Sequence, residues 1–229
     1  MKIKTHKVLL LFTFFLFLSF SSYSAPCYGT KMPKEKEFFA GVGSYTIFKR
    51  DLEDGYGSLR SLQNFLLVSY GIFDWLSLDL KVGAGYIKQH PFGSDEIDYP
   101  TAFSGGYGLR LKVYNKKKVQ AVFGFQHISV HPRKARLQEE NKAILDDWQV
   151  SFLASYEFPL ITPYAGVEWS RVDYIHWQGD RRKRRMSDLT KSIGLVVGFD
   201  FPLKEKFWLN LEGQFFDAKA LSFSVNFSF

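Results

Sequence analysis

The last nine residues of the chain, Leu221 to Phe229, limit its folding choices more than any other segment. Leu221, Phe223, Val225, Phe227 and Phe229 alternate with Ser222, Ser224, Asn226 and Ser228. Alternation at period two gives a strand with one apolar and one polar face. In water such a terminal strand would be a template for aggregation. In a bilayer the same pattern is satisfied if the apolar face meets lipid and the polar face lines the interior of a closed barrel.

The pattern recurs along the chain. Leu76–Tyr86 sends Leu76, Leu78, Leu80, Val82, Ala84 and Tyr86 one way and Ser77, Asp79, Lys81, Gly83 and Gly85 the other. Gly106–Tyr114, Trp148–Phe158, Tyr164–Tyr174 and Ser192–Phe201 alternate in the same manner. Phe38–Lys49, Val119–Val130 and Phe207–Phe215 complete the clearer strands. Leu62–Tyr70 is less regular, because Phe65 and Leu67 fall on its polar side. With the terminal segment these predict an all-β fold, a transmembrane antiparallel up-and-down barrel of ten strands. Eight is the competing count if Leu62–Tyr70 is not a strand. Strands of about nine to twelve residues are long enough to cross a bilayer at a tilt. The connections alternate in length. Short ones fall at Phe73–Trp75, Asn115–Lys118, Pro159–Pro163 and Pro202–Lys206. Long ones fall at Asp51–Arg60, Gln89–Ser104, His131–Asp147 and Gln178–Thr190, as expected for periplasmic turns and extracellular loops.

A final strand carrying Phe227 and ending on Phe229 resembles the last strand of bacterial outer-membrane barrels. That resemblance implies a C-terminal signal, Phe227 and Phe229, read by the barrel-assembly machinery, and an outer-membrane location. The other end agrees. Lys2, Lys4 and Lys7 precede an apolar run from Val8 to Phe20 and then Ser22-Tyr23-Ser24-Ala25, the make-up of a secretory leader. Cleavage after Ser24 fits best. The expected organisation is a signal peptide over 1–24, a short lead over 25–37 and the barrel over 38–229. Residues 1–24 hold three lysines and no acid, leaving 27 bases against 23 acids. The net charge falls from +7 to +4, which leaves no case for nucleic-acid binding. Aromatics, at 18% of residues, suit the girdles that mark both membrane interfaces. Cys27 is the only cysteine, so no intramolecular disulfide can form.

The inward positions predict a lumen filled by a polar network of Asp79, Lys81, Arg110, Lys112, Glu157, Glu168, Asp200 and Glu212. Barrels of about eight strands are just wide enough for side chains to fill, whereas aqueous channels belong to larger ones. A narrow small-solute pore is the alternative.

Outside the barrel, Arg181, Arg182, Lys183, Arg184 and Arg185 lie in the fourth long loop. There they are expected to bind phosphate groups of lipopolysaccharide or another anionic surface ligand, since guanidinium groups pair with phosphate bidentately. The plainer reading is a solvated charge run. His127 and Ser129 share the lipid face of one strand. That pair resembles the His-x-Ser of outer-membrane lipid A deacylases, which implies a serine esterase with Glu139 or Glu140 completing a triad. Val130 stands where that family has a small polar residue. Asp173 and His176 are similar to the acid–histidine pairing of omptin-type proteases, whose barrels are much taller. Metal binding by His127, His131 and His176 has no supporting spacing, and no cofactor is expected. The favoured function is a non-enzymatic outer-membrane barrel, structural or surface-binding through its loops, with lipid and lipopolysaccharide as surroundings. The lipid esterase and the narrow pore follow it.

Overall fold

A computed structural model describes residues 26–136 and 139–229. The expected leader, residues 1–24, lies outside the described residues. The strands are β1 (Phe38–Asp51), β2 (Ser58–Phe73), β3 (Leu76–His90), β4 (Ile97–Lys116), β5 (Val119–His131), β6 (Ala135–Arg136), β7 (Glu140–Tyr156), β8 (Thr162–Gln178), β9 (Arg181–Met186), β10 (Ile193–Lys204), β11 (Phe207–Phe215) and β12 (Lys219–Ser228). Ten of them form a closed antiparallel barrel in which each strand pairs with the next. β7 pairs β8, β8 pairs β10, and β12 returns to β1 with Phe39 opposite Ser228 and Ala40 opposite Phe227. The short strands β6 and β9 extend the wall at its extracellular rim.

The alternating faces sort as the pleat requires. Leu66, Val68, Leu78, Leu80, Val82, Ile193, Leu195, Leu221 and Phe223 stand exposed on the outside, while Ser77, Asp79 and Lys81 are buried within. Leu80 is 62% exposed and Ser77 fully covered, although they are three residues apart on one strand. An exposed apolar belt around a closed barrel is the lipid-facing surface of a transmembrane barrel.

Strands β2, β3, β4, β7 and β8 are longer than the sequence spacing predicts. β4 starts at Ile97 and passes through Pro100. Proline cannot donate to the ladder. There the register slips, so that Gly85 and Ile87 face Ala102 and Tyr99, and the bulge absorbs the missing donor. β7 starts at Glu140 and continues the inward series Ala143, Leu145, Asp147 from what the spacing reads as loop. Phe65 and Leu67 do not interrupt β2. Both are buried within the barrel, in register with inward Gln63 and Ser69.

The interior has two unlike halves. The extracellular half is an apolar core of Tyr45, Ile47, Leu59, Phe65, Ile87, Tyr99, Ile128, Val130, Leu145, Val172 and Tyr174. The periplasmic half is polar, and it contains residues 26–33 as well as wall side chains. Lys36 N donates to Gly71 O at 2.8 Å, and Gly71 N to Glu37 O at 3.0 Å, where the lead enters. A Cβ on Gly71 would stand 1.9 Å from Lys34 O, so only glycine lets the lead pass there. The lead then climbs into the lumen with Pro26, Cys27, Gly29 and Thr30 all buried.

Candidate functional site

The lumen network is assembled around that lead. Arg110 forks onto Asp79, with Nε to Oδ2 and Nη2 to Oδ1 both at 2.9 Å. Its Nη1 reaches over to Lys31 O at 2.8 Å and Tyr28 O at 3.3 Å. A single guanidinium thus ties β3, β4 and the lead together. Lys81 donates to Gln126 and stands 4.6 Å over the Tyr28 ring. Thr30 Oγ1 donates to Ser155 Oγ at 2.6 Å. Cys27 N donates to Glu212 Oε1 at 2.7 Å, and Tyr164 Oη to Glu212 Oε2 at 2.9 Å. Asn210 donates to Asp200 at 2.9 Å. Gly29 has φ +65°, and a Cβ there would meet Tyr164 at 3.0 Å, so glycine serves both the turn and the fit. Burial, with Glu212 and Glu168 close by, pushes the Cys27 thiol well above its ordinary pKa.

Asp79, Lys81, Arg110, Glu168, Asp200 and Glu212 are buried inside the barrel. The other two residues of the expected network are placed differently. Glu157 lies past the end of β7 on an exposed turn, and Lys112 is half-buried near the periplasmic end of β4. The sequence contained no sign that the lead would occupy the lumen, because a short polar stretch before the first strand reads equally well as a solvated tail.

A cavity opens at each mouth. The periplasmic one, about 390 Å³, is lined by Lys31, Lys118, Glu157, Asp200 and Trp208. The extracellular one, about 590 Å³, is lined by Tyr56, Gln89, Phe92, Asp95, Glu139 and His176 among others. The apolar core and the seated lead lie between them.

On the outer wall, β5 presents His127, Ser129 and His131 on one face. Ser129 Oγ and His131 Nε2 are 2.8 Å apart, with the donor set by the tautomer. Asp146 on β7 sits directly across from Ser129. Its Oδ1 is 3.6 Å from His127 Nε2, and the side chains of His127 and Asp146 are 13% and 25% exposed. The His127 ring packs on Trp148, with centroids 4.0 Å apart, and on Tyr107 at 5.1 Å. A serine, two imidazoles and a carboxylate therefore meet on the outside of the barrel beside aromatic side chains. The serine is bonded to one histidine while the acid is nearest the other.

The expected acids are elsewhere. Glu140 forms ion pairs with Lys134 at 2.8 Å and Lys142 at 3.5 Å, and Glu139 lines the extracellular cavity. Asp146 takes the place assigned to them, and it was missed because residues 131–147 read as loop. Asp173 and His176 fall on opposite faces of β8: Asp173 pairs with Arg184 Nε at 2.7 Å, and His176 faces the cavity. His127 and His131 are outward and His176 inward, and the described residues hold no metal-ligating cluster.

The basic run is a strand, not a loop. Arg181–Met186 is β9, folded back on β8 with Arg181 opposite Gln178 and Arg185 opposite Tyr174. Gly179, at φ +55°, makes the turn. Arg182 lies over Trp177 at 5.6 Å and Arg185 over Tyr56 at 5.1 Å. Arg184 pairs with Asp173. Arg181, Arg182, Lys183 and Arg184 are exposed. Pairing with β8 fixes the spacing of these cations, which a solvated charge run would not do.

No family model matches the chain, and no curated protein does. Solved structures resemble it in shape. The attachment invasion locus protein Ail of Yersinia pestis is 10% identical, with 85% of this chain and 99% of that one covered and a TM-score of 0.43. An outer membrane channel from Pseudomonas putida F1 is 9% identical, with 90% and 99% covered and a TM-score of 0.45. The outer membrane protease OmpT from Escherichia coli is 10% identical, with 84% and 95% covered and a TM-score of 0.40. These are likenesses between barrels, and they carry nothing about activity.

Proposed function

We propose that the chain is an outer-membrane barrel with a closed lumen that works at its outer surface, binding anionic headgroups through the β8–β9 hairpin at its extracellular rim. The observation that carries this reading is the basic run Arg181–Arg185 held in a paired strand. Cations at fixed spacing bind phosphate groups with less ordering cost than the same residues on a free loop. The lipid-facing belt and the C-terminal Phe227 and Phe229 support insertion through the barrel-assembly machinery, with export by the leader before it. Lipopolysaccharide is the partner chemistry that fits best, because its phosphates lie at the membrane surface around such a rim. The test is binding of the detergent-purified protein to lipopolysaccharide at rising salt. Affinity should fall as salt screens the exposed charges. Replacing Arg181, Arg182 and Lys183 with Gln should remove the salt-sensitive part without loss of the folded barrel. Salt-independent binding, or equal binding by the variant, would refute it.

A second reading has its own observation. Ser129, His131, His127 and Asp146 lie together on the outer wall, where only the acyl chains and headgroups of lipids reach them. Serine attack on a lipid ester, with histidine taking its proton and Asp146 steadying the imidazolium, is the reaction such a set performs. At 3.6 Å the His127–Asp146 approach is longer than a hydrogen bond, and Ser129 meets His131 instead, so a working triad requires one histidine to meet both Ser129 and Asp146 on substrate. Release of fatty acid from phospholipid or lipopolysaccharide micelles, abolished by Ser129→Ala, would establish it. No release above a detergent blank would dismiss it.

A further inference from the structure

The cavity at the extracellular mouth has a buried, uncharged floor. Gln89, Asn141 and His176 line it and are buried, Gln89 with only 1% exposure. Its rim carries Phe92, Ser94, Asp95 and Glu139, all exposed. No lysine or arginine is among the described residues of the lining. Tyr56 and Ile97, also in the lining, pack on the apolar core that closes the cavity from below. A molecule that enters from outside must therefore leave the same way.

The floor groups are short of partners. Gln89 Oε1 accepts from Tyr174 Oη at 2.7 Å, while its Nε2 has no hydrogen-bond partner among the described residues. His176 stands between Tyr56 Oη, 3.4 Å from Nδ1, and Asn141 Oδ1, 3.3 Å from Nε2. Both separations exceed the roughly 2.7–3.2 Å of a well-made bond. Buried polar groups left this way cost free energy that a ligand hydroxyl recovers.

The same groups select by charge. An anion would meet no cation in the lining. A cation would find Asp95 and Glu139 only at the rim, in water, where ion pairs contribute little. The floor offers amides, a phenol and an imidazole that is uncharged above its ordinary pKa of about 6.5. Hydroxyl groups donate and accept, so a polyol satisfies the Gln89 nitrogen and the acceptor-only carboxylates alike. Phe92, 88% exposed, presents a bare ring at the rim. The C–H face of a sugar packs on the negative face of such a ring.

We infer that the extracellular cavity binds an uncharged sugar, with Gln89, Asn141 and His176 reading its hydroxyls and Phe92 covering one face of its ring. The β9 cations are not in the lining, so the site stands apart from the binding of anionic headgroups. With the core closed beneath it, the site holds its ligand at the cell surface and passes nothing inward.

The test uses the folded barrel in a detergent without a sugar headgroup, since a glycoside detergent would compete. Glucose, galactose, mannose, N-acetylglucosamine, maltose and lactose are titrated singly, at millimolar concentrations, by calorimetry. At least one should bind. Phe92→Ala, on an exposed loop, should weaken that binding several-fold and leave the barrel intact. Gln89→Leu should weaken it about tenfold. Replacing Arg181, Arg182 and Lys183 with Gln should leave it unchanged, whatever that variant does to lipopolysaccharide binding. Binding of none of these sugars would overturn the inference. So would unchanged binding in either the Phe92 or the Gln89 variant once folded, or loss of sugar binding with the β9 cations. Choline or inorganic phosphate held more tightly than every sugar, and released by Phe92→Ala, would overturn it by making the cavity an ion site.

Discussion

The backbone nitrogen of Cys27 donates to the carboxylate of Glu212 at 2.7 Å, across 185 positions of sequence. This bond joins the start of the described chain to the strand before last, in the middle of the barrel. With the Arg110 clamp and the Thr30 bond it makes residues 26–33 part of the interior instead of a tail. A barrel filled in this way leaves its outer wall and rim as working surfaces.

The thiol of Cys27 should be nearly inert in the folded protein. It is 2% exposed, and burial beside Glu212 and Glu168 holds its pKa well above the ordinary value. The thiolate is the reactive form, so alkylation at pH 8 should be slow until urea unfolds the barrel. Rapid modification without denaturant would show that the lead leaves the lumen.

Arg110 should be the costliest single polar residue to lose. Arg110→Met leaves Asp79 buried without its forked partner and cuts both contacts to the lead. A loss of about 3–5 kcal/mol is expected in urea unfolding from lipid vesicles. The double variant Asp79→Asn, Arg110→Met should recover part of that. If the double variant is as unstable as the single, the ion pair is not the reason for the loss.

The two faces of β3 should respond oppositely. Leu80→Arg places a guanidinium on the lipid belt and should cost roughly 2–4 kcal/mol if it lies near the bilayer midplane. Ser77→Ala removes a buried hydroxyl that has no partner, so stability should hold or rise slightly. Folding yields into vesicles measure both, and similar yields would contradict the assigned facing.

Closure of β12 on β1 leaves no free strand edge in the barrel wall. The folded protein should therefore resist detergent at room temperature. Boiled and unboiled samples should migrate differently in a dodecyl sulfate gel. Identical migration would argue against a closed barrel.

Strands with one lipid face and one polar face, such as Leu76–Tyr86 and Leu221–Phe229, were legible because two solvents impose a period of two. The pattern fades where both faces are apolar. Phe65 and Leu67 blurred β2 for that reason, since the extracellular half of the lumen is a hydrophobic core. Strand ends rising above the membrane meet water outside, lose the outward signal and read as loop. That hid the start of β7, and with it Asp146. Five consecutive basic residues have no alternation at all, so β9 is set by its pairing with β8. The seat of the lead depends on side-chain contacts between residues 79 to 185 positions apart, which no local pattern carries.

The closed lumen is tested most directly by electrical conductance of the folded protein in a planar bilayer. Core and lead separate the mouth cavities, so insertion is expected without any steady current above the bare membrane. A stable ohmic open level that appears with each insertion would contradict it.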